Sequence, residues 1–130
     1  MKNWGPYFWG TLHIACLAAP PVLSDEHKTA FRNLIESFTL VLPCPACQMH
    51  FREVLQQFPL EESLNTGEDL FTWSVAVHNI VNARLGKPQV SLKDAVYYWA
   101  ERASYEEQFP VEDTLVVLGL VIAISFLMIK

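Results

Sequence analysis

The sequence predicts an all-α fold: a four-helix bundle with a short fifth helix packed on it, then a C-terminal hydrophobic helix read as transmembrane. Three observations carry this expectation. Few runs alternate apolar and polar residues, so strands have little support. Apolar residues recur at helical spacing instead, as Phe31, Leu34, Ile35, Phe38, Val41 and Leu42 do on one face. Prolines, glycines and hydroxyl residues fall where helices should begin and end.

The elements follow in order. Pro6 suits a first helical turn, where its missing N–H costs nothing, and the helix runs to Ala19 before Pro20 and Pro21 stop it. Ser24 is the expected N-cap of the second helix, which Pro43 ends. Pro45 opens a third helix that continues to about Gln57. A loop with Pro59 precedes a fourth helix, where Thr66 and Asp69 form a capping pattern. That helix reaches Leu85, with Gly86 as its left-handed terminator and Pro88 beyond. Ser91 and Asp94 repeat the capping pattern for the fifth helix, "LKDAVYYWAERA". Short loops between helices of similar length make an antiparallel bundle.

The predicted organisation is a domain over 1–103, a linker over 104–113 and a hydrophobic segment over 114–130. The run 115–129 carries no charge and is closed by Lys130. Its length as a helix, about 22 Å, is short against a hydrocarbon core of roughly 30 Å. It is read as a membrane anchor, the alternative being a last helix packed in an oligomer.

The chain has 130 residues, 52% of them hydrophobic, enough for one compact core. A net charge of −5 leaves no basic surface to replace phosphate counterions, which excludes nucleic-acid binding. Three cysteines are too few for a disulfide-stapled secreted scaffold.

Three residue sets bear chemistry. In "CPAC", Pro45 makes Cys44 the N-cap of the third helix and Cys47 its third residue. Both sulfurs then lie at the positive end of a helix dipole, which stabilises thiolate. Such a pair can close and reopen by thiol exchange. A zinc half-site is the alternative, with Cys16, His13, His50 and His78 as further ligands, but no second Cys-X-X-Cys or His-X₃₋₅-His supports it. On the fourth helix His78 and Asn82 share a face, with Asn79 beside it and Lys87 just past the end, free to reach a phosphate. Asparagines are poor helix-interior residues, so their presence mid-helix points to another use. On the first helix Trp9, His13 and Cys16 form one stripe. Cys16 reads as a small buried hydrophobe.

Together "WGPYFWGTLH", "CPAC" and "HNIVNARLGKP", in this order and spacing, resemble the FAD-linked sulfhydryl oxidases of the Erv/ALR type, and the short form is most similar to members from large cytoplasmic DNA viruses. The resemblance implies a four-helix bundle plus a fifth helix holding FAD noncovalently. It implies that Cys44 and Cys47 are the catalytic disulfide, with Cys47 against the flavin and Cys44 open to incoming thiolate. Gly5, Trp9 and His13 match flavin-site positions. His78, Asn79, Asn82 and Leu85 match positions lining the cofactor, Lys87 one near its phosphates, and Trp99 an aromatic wall. No metal is implied.

The expected function is therefore an FAD-dependent thiol oxidase that forms disulfides in a thioredoxin-like or other small dithiol protein. Molecular oxygen takes the electrons and gives hydrogen peroxide. A homodimer is expected, because the first two helices carry more apolar surface than one bundle interior needs. The expected location is membrane-anchored, at a virion membrane or in host cytoplasm. The competing expectation is a membrane-anchored zinc or thiol adaptor without catalysis.

Overall fold

The structure, a computed structural model, describes residues 3–103. Among these it contains five α-helices, α1 (Gly5–Leu17), α2 (Asp25–Val41), α3 (Pro45–Gln57), α4 (Gly67–Arg84) and α5 (Leu92–Ala103), and no strand. The expected linker over 104–113 and anchor over 114–130 lie outside the described residues. Within the described part no helix is long and apolar enough to cross a membrane.

The caps explain the boundaries. Ser24 accepts the His27 N–H at the start of α2, and Thr66 accepts the Asp69 N–H at 3.0 Å at the start of α4. Two helix ends differ slightly from expectation. α1 stops at Leu17 rather than Ala19, because residues directly before proline are pushed out of the helical region, and Ala19 and Pro20 both precede one. α4 stops at Arg84, and Gly86 takes a left-handed φ of 66°. There the Lys87 N–H donates to the Asn82 carbonyl at 2.8 Å and the Gly86 N–H to Ala83, a paired closure that turns the chain back toward the bundle end. The expected loop at Pro59 holds a 3₁₀ turn, Leu60–Ser63. Leu60 and Leu64, four residues apart, are both buried and tie this segment to the core.

α4 is the central helix. It packs on α1, α3, α5 and the 3₁₀ turn, while α1 also meets α5 and α2 pairs with α3. Leu70 and Val77 of α4 are fully buried, as is Cys16 of α1, which confirms that this cysteine is packed in the core.

One close approach sets where α4 begins. A Cβ on Gly67 would stand 2.6 Å from the Ala19 carbonyl oxygen and 2.9 Å from that of Pro20. The Gly67 N–H donates to that same Pro20 carbonyl at 3.1 Å. Neither obstacle is a flexible side chain, so the backbone itself has to move. Gly67→Ala should therefore destabilise the domain by about 3 kcal/mol, read as a lowered urea midpoint at unchanged slope. A midpoint equal to the parent's would mean that the α1–α2 loop yields freely.

Candidate active site

The reactive pair is built by the start of α3. Cys44 is the N-cap in extended conformation, and its sulfur accepts the Cys47 N–H at 3.2 Å. Pro45 and Ala46 occupy the first two helical positions, so Cys47 is the third, and the two cysteines form a disulfide with Cα atoms 5.1 Å apart. The loop before it is clamped from α3. Gln48 donates through Nε2 to the carbonyls of Leu40 and Leu42, at 2.9 and 2.8 Å, and Arg52 donates to that of Thr39 at 2.9 Å. These bonds satisfy carbonyls that the end of α2 leaves open.

Beside the disulfide lies a cavity of about 710 Å³, within the range that holds small-molecule ligands. Every cofactor-site residue singled out in the sequence lines it. Gly5, Trp9 and His13 come from α1, and Cys47 from α3. His78, Asn79 and Asn82 come from α4, Leu85 and Lys87 from its terminating turn, and Trp99 from α5. Cys44 is not on the lining. One disulfide thus has one cysteine on the cavity lining and its partner off it.

The wall is a stack of rings. Trp9 and His78 lie parallel, 7° apart with centroids at 4.0 Å. His13 follows, 5.1 Å from His78 and 5.1 Å from Trp99. Trp99 approaches the bundle where Gly10 has no side chain, since a Cβ there would meet its ring at 3.3 Å. His13 is 1% exposed and is bonded on both sides, through Nδ1 to Ser74 at 2.9 Å and through Nε2 to His78 at 2.8 Å.

Polar groups complete the lining. Both ends of the Asn79 amide bond the backbone of Val90, at 2.8 and 2.9 Å, so this asparagine fixes the segment after α4. Asn82 differs. It is 8% exposed, yet its side chain has no hydrogen bond among the described residues, and it lines the cavity. Arg84 pairs with Glu53 at 2.9 Å, whereas Lys87 is exposed at the cavity mouth with no ion pair among the described residues.

Burial first, and the neighbouring His78 second, pull the His13 pKa from 6.5 down to about 3. Burial, then the charge of Lys87, lowers His78 to about 4. Both rings are neutral when folded, so the unfolded chain takes up protons first as the pH falls. Their contribution to stability is complete above the unfolded value and is lost as the pH drops toward the folded ones. His13 accounts for about 2 kcal/mol of loss between pH 7 and pH 5. The urea midpoint should fall over that interval, and His13→Gln should flatten the fall. A level parent profile would contradict the neutral pair.

The arrangement can therefore do three things at once. It puts one cysteine of the disulfide on a ring-lined cavity and its partner off it, and places a cation and an amide unpartnered among the described residues at the cavity end of α4. The model of the Erv1/Alr family matches residues 6–104. This chain belongs to the Erv1/Alr family. A probable FAD-linked sulfhydryl oxidase of Acanthamoeba polyphaga mimivirus is 31% identical over 96 residues, which cover 73% of this chain and 67% of that one. An FAD-linked sulfhydryl oxidase of African swine fever virus is 35% identical over 108 residues, 83% of either chain. The FAD binding domain of Erv1 from Saccharomyces cerevisiae has the same fold, with a TM-score of 0.71 at 23% identity over 78% of this chain and 94% of that one.

Sequence reasoning overlooked several lining or supporting residues of this Erv1/Alr chain. His50 and Phe51 line the cavity. Their positions three and four residues after Cys47 put them on the same helical face, a signal available in the spacing. Ser74 stands four residues before His78 and was equally legible. Gln48 carried no such signal, because its partners lie on α2.

Proposed function

We propose that this chain is an FAD-linked thiol oxidase that makes a disulfide in a partner dithiol protein and passes the electrons to oxygen. The observation that carries this reading is the split position of the disulfide, with Cys47 on the cavity and Cys44 off it.

The residues present fit FAD. Flat aromatic walls from Trp9, His78 and Trp99 suit planar rings, the unpaired Asn82 amide suits a polar edge, and Lys87 suits a phosphate. Bound there, FAD supplies a two-electron acceptor that oxygen restores with release of hydrogen peroxide. The chain's own part is thiol exchange and placement. A partner thiolate attacks the Cys44 sulfur, the Cys44–Cys47 bond breaks, and Cys47 leaves as thiolate. Its place in the first turn of α3 stabilises that charge. The partner's second thiolate then attacks its own sulfur in the mixed disulfide, releasing Cys44 and leaving the partner oxidised. The electron pair now sits on Cys47, facing the cavity. Neutral His13 and His78 line the same cavity and add no charge to it.

The partner fitting this reading is a small, thioredoxin-like dithiol protein. The segment 114–130 is assigned as a membrane anchor, supported by its uncharged run, with the domain at a virion membrane or in host cytoplasm. A second copy is the proposed occupant of the apolar surface left by Tyr7 on α1 and by Leu40 and Val41 on α2, all exposed. Among the described residues no group of three or more His, Cys, Asp or Glu could hold a metal ion, so the zinc adaptor has nothing further to support it. The test is one spectrum and one assay. Purified protein should show flavin absorbance and consume oxygen with a small dithiol. A colourless, zinc-containing protein without oxidase activity would reverse the conclusion.

A further inference from the structure

From behind the cavity wall into it runs a polar chain that thiol exchange does not use: Ser74, His13 and His78. Ser74 is fully buried on α4, one turn before His78. Its hydroxyl oxygen lies 2.7 Å from the Phe71 carbonyl oxygen. A carbonyl only accepts, so contact at that distance requires the hydroxyl proton to point at Phe71. Toward every other neighbour the Ser74 oxygen is then an acceptor. His13 Nδ1 reaches it at 2.9 Å and must supply the proton of that bond. A neutral imidazole has one N–H, so His13 Nε2 is bare. His78 Nδ1, at 2.8 Å, must then donate to it. His78 Nε2 is left with its lone pair. Among the described residues that nitrogen has no hydrogen-bond partner and no buried side-chain nitrogen or oxygen lacks one, so it opens onto the cavity that His78 lines.

We infer that Ser74 is a positioning residue: it fixes both imidazoles in the Nδ1–H tautomer and so presents His78 Nε2 to the cavity as a hydrogen-bond acceptor. The ligand group received there is an N–H or O–H donor. Placing it on the amino or hydroxyl groups of FAD rests on the function proposed above, while the tautomer does not. One carbonyl of α4 thereby sets the polarity of a wall two residues removed from it, and the ring stack of Trp9 on His78 holds the acceptor in place.

The experiment is two-bond ¹H–¹⁵N correlation of the imidazoles in the purified, uniformly labelled protein near neutral pH, with His78 assigned by its loss in His78→Gln. The expected spectrum has Nδ1 protonated and Nε2 bare in both His13 and His78. In Ser74→Ala the His13 Nδ1–H has no acceptor, and the His78 proton should move to Nε2. Flavin should then dissociate roughly tenfold faster, because a donor faces a donor. Ser74→Thr, which keeps the hydroxyl, should restore both readings. A parent His78 carrying its proton on Nε2 overturns the proposal, as does an unchanged tautomer in Ser74→Ala. The parent spectrum decides even if Ser74→Ala fails to fold. A colourless protein with a bare His78 Nε2 would remove the flavin reading and leave the role of Ser74 standing.

Discussion

Cys44→Ser and Cys47→Ser should each reduce thiol oxidation to the uncatalysed background while the protein stays yellow. Either change removes the only disulfide among the described residues, and with it the electrophilic sulfur that a partner thiolate attacks. Neither should unfold the domain. Serine at position 44 remains a good N-cap for α3, and position 47 is a half-buried site at the cavity edge. The two variants should differ in what they capture. Cys47→Ser leaves the Cys44 thiol away from the cavity, where a mixed disulfide with a partner has no resolving sulfur inside the enzyme and accumulates. Cys44→Ser leaves only the inner sulfur and should capture far less. Cys16→Ser is the control, because its thiol is fully buried and its pKa lies near 12, far from a reactive thiolate. It should keep most of the activity. A Cys16→Ser enzyme as inactive as Cys47→Ser would show that the core sulfur takes part.

The second large effect is on cofactor retention. His78→Ala removes the ring stacked 4.0 Å from Trp9 and leaves His13 Nε2 without its donor. A buried polar atom left unpaired costs roughly 1–3 kcal/mol, which corresponds to roughly five- to 150-fold weaker binding if it falls on the loaded form. Lys87→Ala removes the exposed cation at the cavity mouth and should weaken FAD about tenfold, an effect that shrinks in high salt. The measurement is flavin per protein after gel filtration, with helical circular dichroism as the control for folding. Full flavin content in both variants would take the cofactor role away from α4 and its terminating turn.

Much of this was readable in order along the chain. The prolines at 6, 43 and 45, the hydroxyl caps at Ser24 and Thr66 and the glycine at 86 act within a few residues of themselves. They fix helix boundaries to within two residues because capping is local chemistry. The placement of Cys44 and Cys47 in the first turn of α3 has the same origin. The pairing of His78 with Asn82 on one face follows from helical periodicity alone. Assembly decided the rest. Nothing local marks Gly67 as the point where α4 meets the carbonyls of Ala19 and Pro20, or Gln48 as the clamp on the end of α2. Asn79 lines the cavity as its position suggested, but only the path of the chain after Gly86 brings Val90 back to engage both ends of its amide. The direction of each proton from Ser74 through His13 to His78 likewise depends on α1 and α4 lying side by side, 61 residues apart in sequence. A sequence specifies which groups can donate and accept. Which of them face each other without water, and so must agree on a direction, is settled when the helices pack.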